Sequence, residues 1–562
     1  MHEKLLARVR EVARDLGLPP EDEARITVTP PPEEAQGDAA TNAALLLARA
    51  RQQSPREAAE ALVARLGALP QVAKVAIAGP GFVNFFFTRD FFSLRLRAAV
   101  EDPEAWGAGK RYAGQNIIVE HTQPNPFKPF HIGHLMSNAI GECVARLIGN
   151  EGANLKRANY QGDIGLHVAK ALWGLKKLGL APENVEVLGR AYAYGHEHYE
   201  NDPAAQKEII ALNKMGYEKI SRLPLYQEGK KVSLAHFEEI YAMLGTRFDY
   251  YFFESECEPV GRALVHEGLA KGVFEESDGA VVYRGEKVGL HTRVFITRHG
   301  TTTYETRELG LAVLKYDAFP FDLNLTTVAV EQDTYFRVVR AALAELRSEL
   351  AARYRHIPHG MLQLISGKMS SRKGNVITGE ALLNSLLAAV REKMREREFE
   401  SEAARTQAER AVAVAAIKYQ VLRQAIGKNI IFDPERALSF EGDSGPYLQY
   451  AHTRACALLR RGAEEGVAPS LEGVLPQEAP SLERLVARFP EVAARAAGEL
   501  EPHHLTTYLT EVASAFHRWY AAEKIVDARS AESPYRLALT AGVAHTLRRG
   551  LSLLGMEAPE RM

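Results

Sequence analysis

The spacing of apolar residues predicts a small α/β module at the start of the chain. Apolar positions recur at helical spacing in three stretches and then alternate in two short runs, the pattern of helices followed by strands. The predicted helices cover 5–13, 43–50 and 57–66, and the predicted strands cover 72–77 and 82–87.

A second pattern begins at the strand-like run 116–120. A long helix with two apolar stripes follows over 135–148, and strand-like runs return at 155–160 and 326–330. Strands that alternate with helices form parallel sheets with helices on both faces, and ligands bind at the carboxyl ends of such strands. The pattern therefore predicts a Rossmann-like, doubly wound domain.

The pattern changes once more near residue 380, beyond which helical spacing dominates. We therefore predict three units. They are an N-terminal α/β module over 1–109, a Rossmann-like parallel-sheet domain over 110–380 with an insertion at about 175–290, and an all-α helical-bundle domain over 381–562.

Composition narrows the class of protein but does not define it. The net charge of −2 gives no whole-chain attraction for nucleic acid, so any RNA surface must be a local patch. The three cysteines are far apart and form neither a zinc spacing nor a disulfide framework, which favours the cytoplasm and predicts no metal site. No apolar run reaches the roughly 18 residues of a membrane span, and the N-terminus lacks the apolar core of a signal peptide.

The segment 124–135, which reads PNPFKPFHIGHL, is the most informative in the chain. It leads from the strand at 116–120 through a proline-broken turn to the start of a helix. Unpaired N–H groups at a helix start favour phosphate, and His131 and His134 add donors there. Gly133 lets a ligand approach the backbone closely. The segment predicts a nucleotide site.

A second segment far downstream supports that interpretation. Residues 366–374, SGKMSSRKG, place three cations and three hydroxyls in one short loop. Such a loop can surround a polyphosphate and neutralise the charge that develops in phosphoryl transfer.

These two segments resemble the two signatures of class I aminoacyl-tRNA synthetases, and the residues around them resemble arginyl-tRNA synthetases. The resemblance covers nearly the whole chain, and its matching segments are 79–86, 120–134, 304–308, 441–452 and 553–562. It implies a HUP-type catalytic domain, an N-terminal module that binds the tRNA D-loop, and a C-terminal anticodon-binding domain.

The resemblance also implies an activity. The chain would activate L-arginine with ATP to arginyl-adenylate and pyrophosphate, and then transfer arginine to the 3′-terminal adenosine of tRNA(Arg). Activation would require bound tRNA, Mg²⁺ would accompany ATP, and the protein would be a monomer. The implied catalytic residues are Lys128, His131, His134 and Lys368, and the implied ATP-binding residues are His131, Gly133, His134, Lys368, Met369, Ser370 and Ser371.

Arginine recognition has a clear chemical demand. A guanidinium presents five donors in a fixed fork, so a selective pocket needs carboxylates. Glu120, at a strand end, and Glu308 suit that demand, although Glu308 stands where the family more often has Asp. The residues that the resemblance assigns to arginine are Glu120, Asn125, Tyr304, Glu308 and Gln332.

RNA contacts are expected at both ends of the chain. Phe82 and Asn84 offer a stacking face and an amide, which are suited to an unstacked loop base. In the helical domain, the resemblance assigns tRNA contacts to Tyr450, Arg454, Trp519 and Met562.

One departure from the class pattern leaves a question open. The class I loop has a second lysine where this chain has Ser371. Lys128 resembles the lysine that compensates for this loss within the family, and Arg372 and Lys373 are rivals. Two other functions stay open at this stage: a class I synthetase for another amino acid, and a non-catalytic RNA-binding protein.

Overall fold

The N-terminal module is a four-stranded antiparallel sheet covered by helices. The computed structural model describes residues 2–215, 217–365 and 378–562. The elements of the module are α1 (His2–Asp15), α2 (Pro20–Glu23), β1 (Val28–Thr29), a 3₁₀ helix (Glu34–Gln36), β2 (Ala39–Thr41), α3 (Ala43–Arg51), α4 (Pro55–Leu66), β3 (Val72–Ala78), β4 (Phe82–Phe87) and α5 (Arg89–Glu101). The strand order is β1-β2-β4-β3. Val83, Phe85 and Phe87 alternate into the module's core, as the period of two requires.

The central domain contains a five-stranded parallel sheet. Its elements are β5 (Asn116–Glu120), α6 (Ile132–Asn150), β6 (Asn154–Gln161), α7 (Leu166–Leu178), α8 (Val185–Asn201), α9 (Pro203–Lys214), α10 (Tyr217–Ile220), α11 (Pro224–Leu244), β7 (Tyr250–Phe253), α12 (Glu254–Ala270), β8 (Glu275–Ser277), β9 (Ala280–Tyr283), a 3₁₀ helix (Gly285–Val288), β10 (Arg293–Ile296), α13 (Tyr304–Ala318), β11 (Leu323–Ala329), a 3₁₀ helix (Val330–Gln332), α14 (Asp333–Leu346), α15 (Ser348–Ala352), β12 (Tyr354–His359) and β13 (Leu362–Leu364). The strand order is β12-β11-β5-β6-β7, so the direction of winding reverses between β5 and β11. Ligands bind at such a reversal, at the carboxyl ends of the strands.

Helices cover both faces of this sheet, which confirms the predicted fold class. α6 packs in one core cluster, and α12 to α14 pack in another on the opposite face. The segment 175–290, which we expected to be one insertion, does not lie wholly outside the main sheet. β7 lies within it but pairs in parallel with β6 in the main sheet. The insertion is therefore split into the helices α8 to α11 and a small antiparallel sheet of order β10-β9-β8.

The last third of the described chain is helical except for one short strand. Its elements are α16 (Gly379–Lys393), α17 (Glu402–Leu422), β14 (Ile430–Phe432), α18 (Pro434–Ala437), α19 (Gly445–Glu464), α20 (Ser481–Ala487), α21 (Phe489–Glu499), α22 (His503–Ala522) and α23 (Ser533–Leu553). β14 pairs in parallel with β13 and so joins the helical part to the central domain. No helix in the described part of the chain is long and apolar enough to cross a membrane.

A buried lysine on α17 is hydrogen-bonded to two other segments of the chain. Lys418 of α17 is 1% exposed, and its ammonium donates to the carbonyl oxygens of Leu244 and Gly555, each at 2.7 Å. Burial lowers its pKa to about 8. The end of α11, the C-terminal part of α17 and the turn after α23 are therefore held at one point.

Candidate active site

The carboxyl edge of the parallel sheet brings the predicted nucleotide-binding segment 124–135 next to the loop that follows β6. β5 ends at Glu120 and leads into the loop before α6, while β6 ends next to Gly162. The side chain of Asn125 joins these loops, since its Oδ1 accepts a hydrogen bond from the Gly162 amide at 2.8 Å. A Cβ at Gly162 would lie 2.7 Å from that oxygen, so the close approach requires glycine.

The two histidines at the start of α6 form a mutually supporting pair. The amide of His131 donates to Nδ1 of His134 at 3.2 Å, and the amide of Gly133 donates to Nδ1 of His131 at 3.1 Å. The rings stack with centroids 3.6 Å apart. Because both Nδ1 atoms accept, each neutral ring carries its proton on Nε2.

Both imidazoles are held in the neutral form. Desolvation and the nearby ammonium of Lys128 lower the pKa of His131. Burial lowers the pKa of His134 still further, with His131 and Lys128 adding to the effect. The start of α6 therefore presents two Nε2–H donors without adding positive charge. Such donors can bind phosphate oxygens.

A group of charged side chains that includes Glu120 and Glu308, which we call the acid cluster, lies at the carboxyl end of β5. Glu120 is 1% exposed, and its two oxygens accept hydrogen bonds from Lys315 and Gln123, each at 2.6 Å. Burial alone would lower the pKa of Lys315, but the carboxylate of Glu120 raises it above its ordinary value. Lys315 therefore stays charged and neutralises Glu120.

Glu308 is the second acid of the acid cluster. Burial, and then the charge of Glu120, raise its pKa well above the ordinary range. A raised pKa of this kind marks a carboxylate whose charge is not fully compensated. Glu308 is therefore a candidate ligand for a further cation.

Two residues assigned to arginine, Tyr304 and Gln332, are exposed. Tyr304, the first residue of α13, is 61% exposed, and the guanidinium of Arg307 lies 4.9 Å from its ring centroid. Arg307 in turn pairs with Glu254 and donates to the Thr302 carbonyl at 3.2 Å. Gln332 is exposed at the turn after β11.

Two residues of the acid cluster, Lys315 and Tyr160, are not predicted from the sequence. Lys315 shares the buried stripe of α13 with Leu311, and a lone cation in an apolar stripe is the signal that could have revealed it. Tyr160 is 9% exposed, and its buried hydroxyl has no hydrogen-bond partner in the described ranges. Burial, and then the charges of Glu254 and Glu308, raise the pKa of Tyr160.

Four of the predicted ATP-binding residues are not placed by the structure. Lys368, Met369, Ser370 and Ser371 lie outside the described residues, as do the rivals Arg372 and Lys373. Their assignment to ATP stays a prediction.

Comparison with known proteins identifies the family. The model of the class I (R) tRNA synthetase catalytic domain matches residues 104–434, which is more than half of the chain. The chain belongs to the arginyl-tRNA synthetase family. The models of the arginyl-tRNA synthetase N-terminal domain and the DALR anticodon-binding domain match residues 3–87 and 448–562.

Individual relatives extend over the same length. The arginine–tRNA ligase of Clostridium perfringens is 30% identical over 95% of each chain, and that of Halothermothrix orenii is 28% identical over 100% of this chain and 99% of its own. The structure of the Thermus thermophilus arginyl-tRNA synthetase is similar with a TM-score of 0.84 at 27% identity, and it covers 100% of both chains.

The N-terminal RNA candidates of this arginyl-tRNA synthetase family member share one face of a sheet. Phe82 is 40% exposed, whereas Asn84 is 3% exposed on the same face of β4, opposite the core. β2 and β3 flank Asn84 on both sides, which explains its burial. Its Oδ1 has no hydrogen-bond partner in the part of the chain that the structure describes. Both assignments stay predictions.

The structure joins two of the four C-terminal candidates directly. The guanidinium of Arg454 donates to the Tyr450 hydroxyl at 2.8 Å and lies over the rings of Tyr450 and Tyr520, at 4.8 and 4.5 Å from their centroids. Trp519 and Met562 are half-buried against the core. Their contacts with RNA stay predictions.

Proposed function

We propose that this chain is an arginine–tRNA ligase. The observation that carries the proposal is the acid cluster at the carboxyl end of β5, where Lys315 neutralises Glu120 while burial and the charge of Glu120 raise the pKa of Glu308. Membership in the arginyl-tRNA synthetase family supports arginine as that cation, and ATP and tRNA(Arg) as the other substrates.

The proposed reaction has two steps. The carboxylate of arginine attacks the α-phosphorus of ATP in line, the bond to the bridging oxygen breaks, and pyrophosphate leaves. A hydroxyl of the 3′-terminal ribose of tRNA then attacks the arginyl carbonyl, AMP leaves, and the hydroxyl proton passes to solvent or to phosphate. Neither step needs a strong protein base, because the first nucleophile is already charged, so catalysis rests on positioning and charge stabilisation.

The side chains divide this work. The Nε2–H groups of His131 and His134 hold phosphate oxygens, and Lys128 neutralises charge that develops as pyrophosphate leaves. Mg²⁺ accompanies ATP, because this ion is usually bound through substrate phosphates with one or two carboxylates.

An ATP–pyrophosphate exchange assay across a panel of amino acids, with and without tRNA(Arg), tests the proposal. We expect exchange with arginine only, and only when tRNA is present. Exchange with a different amino acid would assign the chain to another substrate. Tight tRNA binding without any exchange would make it a non-catalytic RNA-binding protein.

We further propose that the protein works as a monomer in the cytoplasm. The dispersed free cysteines support a reducing compartment. Sedimentation equilibrium at working concentration tests the monomer, and a dimer mass would contradict it.

Replacing Phe82 with alanine is expected to raise the KM for tRNA by about 5- to 100-fold, since an exposed ring that stacks on a base contributes about 1–3 kcal/mol. The kcat of aminoacylation should change little. Leu94→Ala is the matched control, because Leu94 is another exposed apolar residue of the module, 54% exposed on α5. An equal KM for tRNA in both variants would contradict the assignment of Phe82 to the tRNA-binding surface.

A further inference from the structure

Lys128 lies in the active-site loop without the kind of partner that usually holds a lysine. It is half-buried, and it makes no ion pair with any described residue. Burial, and then the nearby charge of Lys170, lower its pKa, while the carboxylate of Glu254 acts in the opposite direction. A long, flexible side chain in this position loses rotamer freedom when it acts on a phosphate, so something must restrict it beforehand.

The contact that the structure provides comes from the helical insertion. The ammonium of Lys128 lies 5.7 Å from the ring centroid of Tyr192 on α8, within the range of a cation–π interaction. The Tyr192 ring is itself parallel to the ring of His196, one turn later, with centroids 6.0 Å apart and planes at 2°. Nδ1 of His196 lies 2.9 Å from Nζ of Lys170 on α7.

The position of α8 is fixed by two glycines. A Cβ at Gly174 of α7 would lie 2.0 Å from the Ala191 carbonyl oxygen, and one at Gly195 of α8 would lie 2.0 Å from the Lys170 carbonyl oxygen. The backbones of the two helices therefore touch at two places on either side of Tyr192. Because these contacts hold the backbone of α8 in place, the ring of Tyr192 has little freedom to move away from the loop that contains Lys128.

We propose that Tyr192 is a positioning residue for Lys128, and that the insertion helix α8 thereby contributes to ATP activation. This inference rests on the proposed function, in which Lys128 acts on the leaving pyrophosphate. The π face of Tyr192 holds the ammonium toward the phosphate site by electrostatic attraction.

The test is a set of four variants in the full-length protein. Tyr192→Leu removes the π face, Tyr192→Phe retains it, and Lys128→Ala removes the cation. Tyr199→Leu is the matched control. The ring centroid of Tyr199, which is also on α8, lies 4.0 Å from Nζ of Lys170 on α7, but Lys170 also pairs with Glu200. Arginine-dependent exchange with tRNA present is measured for each variant, and for the double variant Lys128→Ala/Tyr192→Leu.

We expect Tyr192→Leu to slow exchange by about 3- to 30-fold, and Tyr192→Phe and Tyr199→Leu by less than about twofold. The KM for arginine should stay unchanged. The double variant should be no slower than Lys128→Ala alone, because a positioning residue has no effect once its target is gone. Additive losses, or equal losses in the leucine and phenylalanine variants, would overturn the inference.

A second readout does not depend on activity. Tyr192→Leu should raise the acetylation rate of Lys128 by acetic anhydride several-fold, measured by peptide mass spectrometry, while Tyr199→Leu should not. An unchanged acetylation rate overturns the inference. If Lys128→Ala exchanges at the wild-type rate while acetylation changes as expected, Tyr192 holds Lys128 but the proposed role of Lys128 in activation fails.

Discussion

Replacing Lys128 with alanine is expected to slow arginyl-adenylate formation by about 100- to 1,000-fold, the usual loss when one preorganised group that stabilises transition-state charge is removed. The structure places Lys128 close enough to His131 and His134 to lower the pKa of both. Single-turnover formation of adenylate, with tRNA present, measures the effect.

Two further variants show whether the loss is specific. Arg372→Ala should slow the same step far less if Lys128 is the replacement for the absent loop lysine. Lys176→Ala removes an exposed lysine at the end of α7 and should leave the rate unchanged. Equal losses for Lys128→Ala and Arg372→Ala, or a reversed order, would give the role to the loop instead.

Replacing Glu308 with glutamine is expected to raise the KM for arginine by about 30-fold or more, because removing one partner of a buried charge pair costs roughly 2–5 kcal/mol. Glu308 is the better choice than Glu120, whose loss would also strand the buried ammonium of Lys315. Steady-state aminoacylation measures the effect, and Glu308→Asp is the matched control because it keeps the charge. Equal KM values in the Gln and Asp variants would show that charge at this position does not select arginine.

The same carboxyl group predicts a pH dependence. Its pKa is raised, so Glu308 is protonated at low pH and gains its charge as pH rises through that raised value. Arginine binding needs the charge, so the KM for arginine should fall as pH increases from mildly acidic to mildly alkaline. The Glu308→Gln variant should lose this dependence. A wild-type KM that stays flat over the range would contradict the assignment.

The sequence could predict those parts of the fold where one periodicity dominates a segment. β4 and β5 have the predicted bounds of 82–87 and 116–120. β7 and β12 were missed, because YYFF is too short to alternate and YRHIPH mixes polar residues with a proline. Both strands are set by pairing with distant segments, which no local pattern contains.

The candidate site divides in the same way. The helix start with His131 and His134 is local, and its chemistry can be read from neighbouring residues. The balance of charge around Glu120 depends on Lys315, which lies 195 residues away in sequence and only 2.6 Å away in space. The burial of Asn84 depends on the strands that flank it, and alternation alone places it on a face without giving its depth.

The buried ammonium of Lys418 limits how freely parts of this chain can be exchanged with those of its relatives. Its two carbonyl partners belong to the insertion and to the turn after the last helix. That turn has a glycine with a φ of +71°, and a Cβ there would lie 2.8 Å from the ammonium nitrogen. A chimera that takes its C-terminal helices from a relative must therefore keep glycine at position 555. A larger residue there would crowd the ammonium of Lys418, which is buried away from solvent.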